Sequence, residues 1–580
     1  ASIIFVLFAS ILRAENEFPM DAGITYGKLD NGFTYYIRKN EKPKDKVYIK
    51  LVIKAGSVME DESQLGLAHL LEHMAFNGSK NYPKDALDKF MSSIGLDLGS
   101  HYNASTDHLK TIYEYEIPSD DPENIATTIK ILADISNNLT LEGEAFERER
   151  KIVEEEWRND LGASKRYLDE FLTYIYKDSI LLERLPIGKM EVIRNFEYED
   201  ARNYYKKWYQ PNLMGIFVIG DVDVNQIKKT ITESFASFEN KDFEMPDYKI
   251  PDFKENQFFK YQDEETTSVT FGIWEKTKFQ KINSFENYRD NKIYDLIEAI
   301  YDRRIEELLE KNELAFLSSG LGSFQVSDLD EYKIISTTLN EAKVEEGIVD
   351  FLILNKQIEQ FGFLNSELDL AKKNYLRHIK QNIITRETRS SESFATEYER
   401  HFLDDEMISS SEDELKFAEE IMLSITIEDL NDYFKNYIQA KNQIIQIKAP
   451  TYIKNLPNEE DIKKLFAEVE SKDIKPYEFV LKDIELIKED LVGSKIIKRT
   501  RYPNTGVIKL TLTNGPEVYL KKTDFKKDEI RIRGYSSGGY SQASDDIYAS
   551  AKYTNSILSI ADIGELTVTE KENLYSNNFV

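Results

Sequence analysis

The sequence has no cysteine. That excludes disulfides, thiolate nucleophiles and every zinc site built on sulfur. Histidine is scarce, six in 580 residues, so a transition-metal site must be drawn from those six and from carboxylates. Positive charge is in deficit: 75 lysines and arginines stand against 104 aspartates and glutamates, a net charge of −29. Phosphate contacts need a basic surface, so this balance argues against nucleic acid as a partner. It also disfavours an anionic membrane surface. No apolar run is long enough to span a bilayer as a helix. There is no phosphate-binding glycine loop, and Ser536-Ser537-Gly538-Gly539 reads as a turn at a strand end. What remains, 41% apolar and 31% charged residues, is an ordinary globular composition. At about 150 residues per domain the length suggests roughly four domain-equivalents.

Residues Ile3 to Leu12, IIFVLFASIL, turn polar after Arg13-Ala14. They read as the apolar core of a secretory signal, with cleavage after Ala14. A buried strand or helix is the competing reading. The chain starts at Ala1 without Met, so part of the leader is expected to be missing. Export with no cysteine suits a bacterial envelope compartment, the periplasm. The far end, Tyr575 to Val580, interrupts a pattern and suggests truncation there as well.

Two nested self-matches organise the chain. Tyr198 to Gln210, an aromatic-faced helix, leads into an apolar strand at Ile216 to Ile219. Ile427 to Gln439 leads likewise into Ile444 to Ile447, 229 residues later. At longer range, Asn31-Gly32 precedes Tyr35 to Lys39, and Asn514-Gly515 precedes Val518 to Lys522, an offset of 483. In both copies an Asn-Gly turn opens a strand, and a second follows, Val47 to Lys54 or Ile530 to Tyr535. Twice the short offset plus about 25 residues gives the long one. The charged stretch from Lys472 to Lys498 fits a linker of that length. The expected organisation is a signal remnant over 1–14, a domain over 15–250, a homologous one over 251–480, a charged linker over 481–503 and the start of a third copy over 504–580. Alternating strands mixed with amphipathic helices, such as Asn287 to Lys311 and Ala342 to Gly362, make each copy α+β, with helices packed on a mixed, mostly antiparallel sheet.

The chemistry is concentrated at His69 to His73. Gly66 to Phe76 reads as a helix closed at Asn77-Gly78. His69 and His73 are four apart, project from one face and can share a metal, and Glu72 lies beside that face. This is H-x-x-E-H, the inverted form of the common zinc-protease helix. With six histidines and 104 acids in 580 residues, chance supplies about 0.01 such motifs. A catalytic zinc keeps three protein ligands and one open position, so a carboxylate must join the two histidines. Glu149, Glu154, Glu155 and Glu156 compete for that place in one helical stretch. Glu149 and Glu156 are two turns apart and share a face with Ile152 and Val153, which is expected to look inward. Glu156 is preferred as the ligand, with Glu149 holding a ligating histidine by its free N–H. Glu154 and Glu155 are expected in solvent. A charged, exposed helix is the competing reading. His101 and His108 lack ligand spacing and read as structural or surface residues.

Together, His69-Leu-Leu-Glu-His73-Met-Ala-Phe-Asn-Gly78 and Glu149-Arg-Lys-Ile-Val-Glu-Glu-Glu156 closely resemble the pitrilysin (insulinase-type) zinc metallopeptidases. Asn103-Ala104-Ser105-Thr106 followed by Thr111-Ile112-Tyr113 resembles that family's active-site edge strand. Leu185-Pro-Ile-Gly188 and Trp208-Tyr-Gln-Pro-Asn212 leading to Gly220-Asp-Val222 resemble its later landmarks. The resemblance implies one zinc ion per chain held by His69, His73 and Glu156, with Glu72 as general base and Glu149 supporting the ligands. It also implies that Asn103, Ala104 and Ser105 hold substrate as an added strand. It further implies a clamshell of two halves, each of two related domains, around a chamber that admits peptides and unfolded segments. Here the chain would comprise the first half and the opening of the second. At the 483 offset the triad falls on Lys552, Asn555 and Ser556, so the third copy has lost the motif. The expected activity is zinc-dependent endopeptidase. A catalytically incompetent relative that captures peptides or assembles with a partner is the alternative. Pairing of two copies and a missing C-terminal half are both left open.

Overall fold

A computed structural model describes residues 18–479, 491–525, 529–559, 561–564, 566–568 and 570. The first sheet contains β1 (Ile24–Lys28), β2 (Thr34–Lys39), β3 (Lys46–Ile53), β4 (Tyr102–Thr106), β5 (Thr111–Pro118) and β6 (Met214–Gly220). Their spatial order is β1-β2-β6-β3-β5-β4, with β6 parallel to β2 and every other pairing antiparallel. β3 shows why its sequence is nearly continuous in apolar residues. Val47, Ile49, Leu51 and Ile53 enter one core, Tyr48 and Val52 enter another on the opposite face, and all are buried. A strand covered on both faces loses the usual apolar–polar alternation.

The second sheet contains β7 (Gln257–Asp263), β8 (Val269–Lys278), β9 (Phe316–Gln325), β10 (Asp330–Leu339) and β11 (Gln443–Pro450), in the order β7-β11-β8-β10-β9. β11 runs parallel to β7 and antiparallel to β8. The wiring is that of the first sheet without its outermost strand. The matched segments take equivalent places: the helix Tyr198–Trp208 precedes β6, and the helix Ile427–Ile438 precedes β11. Both sheets are mixed and mostly antiparallel, and the fold is α+β.

The longer offset reappears as strand register. β12 (Ile496–Tyr502), β13 (Val507–Leu512) and β14 (Glu517–Leu520) form a third sheet. Pairs Thr25↔Ile37 and Tyr26↔Tyr36 of the first hairpin become Ile508↔Leu520 and Lys509↔Tyr519, each shifted by the offset found in the sequence. Beyond that hairpin the expectation fails. Ile530 to Tyr535 is not a strand, and Ile530, Ile532 and Tyr535 are exposed. The equivalent β3 draws its order from β5 and β6 on either side; residues 530–535 have no such neighbours among the described residues. The linker expected over 481–503 also differs, because β12 begins at Ile496; residues 480–490 lie outside the described residues. So does the expected signal over 1–14. Among the described residues no helix is long and apolar enough to cross a membrane.

The two sheets exchange covering helices. The first sheet's outer face is closed by the helix Ser391–Asp404, whose Phe394, Ala395, Tyr398 and Phe402 pack on Tyr36, Tyr48, Val52 and Phe217. The helix Ala163–Ile175 returns the contact. Its Tyr167 and Phe171 rings meet Phe259 of the second sheet at a tilt, Phe171 meets Trp274 edge-on, and Tyr332 of β10 donates its hydroxyl to the Ile175 carbonyl at 2.8 Å. Each sheet is therefore completed by chain from the other repeat.

Candidate metal centre

The centre is built on a short helix, Leu67–Met74, continued by a 3-10 turn over Ala75–Asn77. Its apolar residues Leu67, Ala68, Leu70, Leu71 and Met74 are buried in the first core, which leaves His69 and His73 on one half-buried stripe. The helix enters through Gly66 at φ 100°. A Cβ there would stand 3.0 Å from the Cα of Gly188. The backbones of Gly66 and Gly188 thus lie against each other, which gives the Leu185-Pro-Ile-Gly188 landmark a physical role in seating the helix. Glu60, buried, caps the same helix start. Its carboxylate accepts from the Gly66 N–H at 2.9 Å and the Ala68 N–H at 2.8 Å. Burial pushes that carboxyl up to about 8, against the pull of those N–H groups and Arg184.

Glu149 and Glu156 come from the helix Gly143–Asn159. Glu149 is buried. Its Oε2 lies 3.2 Å from His73 Nδ1, and its Oε1 accepts from Asn77 Nδ2 at 2.8 Å. Burial is the largest single influence and opposes charge on both groups, but the hydrogen bonds and the neighbouring charges together outweigh it: His73 is raised and Glu149 lowered from their usual values. Burial, then the neighbouring His73, pushes His69 down to about 4, which keeps it neutral. His69 Nδ1 is buried without a protein hydrogen-bond partner. The inward face is narrower than expected from the sequence. Val153 is buried, but Ile152 is 46% exposed, because the stripe facing the core is one residue wide at that turn. Glu154 is not free in solvent; it binds Arg194 at 2.5 Å, while Glu155 pairs with Arg158 at 2.6 Å.

Glu72 is buried on the flank of the helix, and its Oε2 accepts from the Thr106 hydroxyl at 2.7 Å. Burial raises its pKa, and the Thr106 bond and His73 draw it back. Thr106 ends β4, the outermost strand, which among the described residues pairs along its length with β5 and is otherwise met by a single bridge from Leu98 to Tyr102 at its start. Asn103 and Ser105 of β4 are exposed and Ala104 is half-buried, so a free strand edge runs beside the helix. Glu60, Asn77 and Thr106 were not marked from the sequence as partners of the site. Only a carboxylate shortly before the helix hinted at Glu60. His108 sits away from the donors, its Nε2 on the Leu181 carbonyl at 3.2 Å.

Whether these residues fit a zinc ion can be tested on distances. His69 Nε2 and His73 Nε2 are 3.3 Å apart; Glu156 Oε2 is 3.7 Å from the first and 3.6 Å from the second. Tetrahedral zinc with bonds of about 2.0–2.2 Å sets its ligand atoms about 3.3–3.6 Å from one another. Two imidazoles and one carboxylate form a known open catalytic donor set. A plain contact between two imidazoles would not call for Glu156 at the third corner, with its side chain still 45% exposed. The residues fit. Replacing Glu149 by alanine frees the His73 ring and leaves the Asn77 amide with only the His73 carbonyl to donate to. Zinc affinity is expected to fall about 10–100-fold, read by titration against a competing chelator; unchanged affinity would remove Glu149 from a supporting role.

Comparison with known proteins adds the following. Residues 35–177 match the family described as insulinase (peptidase family M16), and residues 195–375 match the peptidase M16 inactive domain. The chain is 28% identical over 546 residues to a zinc protease PQQL-like protein of Arabidopsis thaliana, covering 92% of this chain and 54% of that one. It is 24% identical to a probable zinc protease PqqL of Haemophilus influenzae, over 98% of this chain and 61% of that one. The chain therefore spans somewhat over half the length of these relatives. Among solved structures, the first half of the periplasmic protease PqqL from Escherichia coli superposes with a TM-score of 0.77 at 23% identity. That match covers 80% of this chain and all of the other. Pitrilysin superposes with a TM-score of 0.62 at 18% identity, over 84% of this chain and 52% of that one.

Proposed function

Because the chain belongs to the insulinase-type peptidase family M16, we propose that it is the metal-bearing part of a zinc-dependent endopeptidase acting on peptides and unfolded segments inside a closed chamber. One observation carries the reading: donor atoms of His69, His73 and Glu156 face one another at 3.3–3.7 Å with the Glu72 carboxylate held beside them. His69, His73 and Glu156 would hold the ion, one per chain. When bound, zinc supplies Lewis-acid polarisation of a carbonyl and acidifies water to a pKa of about 7.

The chain's own residues do the rest. Glu72 takes a proton from the attacking water at its carboxylate and returns it to the leaving amine, a role worth roughly 10²–10⁴-fold. Glu149 and Asn77 keep the His73 ring in one orientation. Asn103, Ala104 and Ser105 of β4 offer backbone N–H and C=O groups to an extended peptide, which adds to the sheet as another strand. Main-chain pairing of this kind selects extended chain over folded protein. The Escherichia coli relative is described as periplasmic, and we extend that location to this chain. We assign residues 15–250 to a catalytic domain and residues 251–480 to a homologous non-catalytic one, the division that the internal repeat supports.

The test is metal analysis joined to cleavage of a quenched fluorescent peptide. The chain is expected to hold one zinc, lose cleavage to a chelator and regain it on adding zinc. Zinc bound at this stoichiometry without any cleavage would favour peptide capture instead. No zinc at all would remove the metal reading.

A further inference from the structure

The edge strand and the base are joined by a single hydroxyl. Thr106 is the last residue of β4, and its Oγ1 donates to Glu72 Oε2 at 2.7 Å, thirty-four positions away in sequence. An ionised carboxylate only accepts hydrogen bonds, so this donor fixes which oxygen faces the strand, with the carboxylate still beside the two histidines. The strand end is itself anchored. The hairpin after Thr106 closes with the Asp107 N–H on the Lys110 carbonyl at 2.9 Å, and the Asp107 side chain accepts from the Leu109 and Lys110 N–H groups. The carbonyls of Asp107 and His108 then accept from the N–H groups of Ser57 and Val58 at 3.0 and 2.9 Å. Two residues beyond Val58, Glu60 caps the metal helix. The hairpin end and the helix start are thus tied to one short segment, and Thr106 reaches Glu72 from a fixed place.

We propose that Thr106 is the positioning residue of the Glu72 carboxylate, so that a peptide added along β4 is coupled through this hydroxyl to the alignment of the base. The inference rests on the peptidase reading above and deepens it. A substrate strand would pair with the edge of β4, whose inner side chains include Thr106, so the fixed strand end that receives the peptide also holds the base in line with it. The coupling acts on the step of turnover and not on peptide affinity.

Thr106→Val removes the hydroxyl while keeping the β-branched shape that suits a strand. A hydrogen bond to a charged group predicts a fall in kcat of about 10–100-fold, with KM within about two-fold of wild type and zinc content unchanged. Thr106→Ser, which restores the donor, should recover most of the lost kcat. Wild-type kcat in the valine variant would overturn the inference. So would a loss confined to KM or zinc content, or a serine variant as poor as the valine one. A crystal structure of Thr106→Val gives a readout independent of turnover: Glu72 is expected to leave its present position, and a Glu72 that stays in place refutes the assignment. If the zinc-loaded wild type cleaves no peptide, the peptidase reading fails, while the position of Glu72 in that structure still decides the role of Thr106.

Discussion

Glu72→Gln is expected to retain one zinc per chain while losing about 10²–10⁴-fold in kcat. The amide nearly matches the carboxylate in size and can still accept from Thr106, so the helix and its two histidines stay in place. What it cannot do is take a proton. The histidines and Glu156 meet one another without Glu72, which is why metal content and turnover should separate in this variant. A loss of zinc together with activity would mean that Glu72 shapes the ligand set. Peptide cleavage at the wild-type rate would take the base assignment away from it altogether.

What the sequence makes legible is whatever lies within one helix or one hairpin. His69, Glu72 and His73 share two turns, and Glu149 and Glu156 share another two, so helical periodicity puts each group on one face before any fold is known. The Asn-Gly hairpin is equally local, and its register carries over to β13 and β14. Contacts made across the chain leave no such mark. Nothing in its own neighbourhood points Thr106 at Glu72, or Glu60 at the N–H groups of Gly66 and Ala68. Ile152 fails for a related reason: periodicity gives the direction of a face but not its width, which depends on the partner packed against it. Residues 530–535 have a strand's alternation and still form none, because a central strand is ordered by its neighbours more than by its own composition.

The same limit applies to where one repeat ends. The internal repeat read from the sequence would divide the chain near residue 250, yet the first sheet is closed by the helix Ser391–Asp404. Lys50, buried on that outer face, pairs with Glu399 of the same helix at 2.8 Å. Produced alone, residues 18–250 would expose the face that Phe394, Tyr398 and Phe402 cover, each worth about 1.5–3 kcal/mol of burial. Lys50 would lose Glu399 and keep only Glu114, at 3.4 Å, as a partner. These losses together rival the whole stability of a typical domain, about 5–15 kcal/mol. The isolated stretch is therefore expected to show no cooperative urea transition and no high-affinity zinc binding, although it contains all three proposed ligands. Residues 18–479, which keep both exchanged helices, should show both. A cooperative transition and full zinc affinity in 18–250 alone would mean that the exchange of helices is dispensable, and that the metal helix is held by the first core without help from the second repeat.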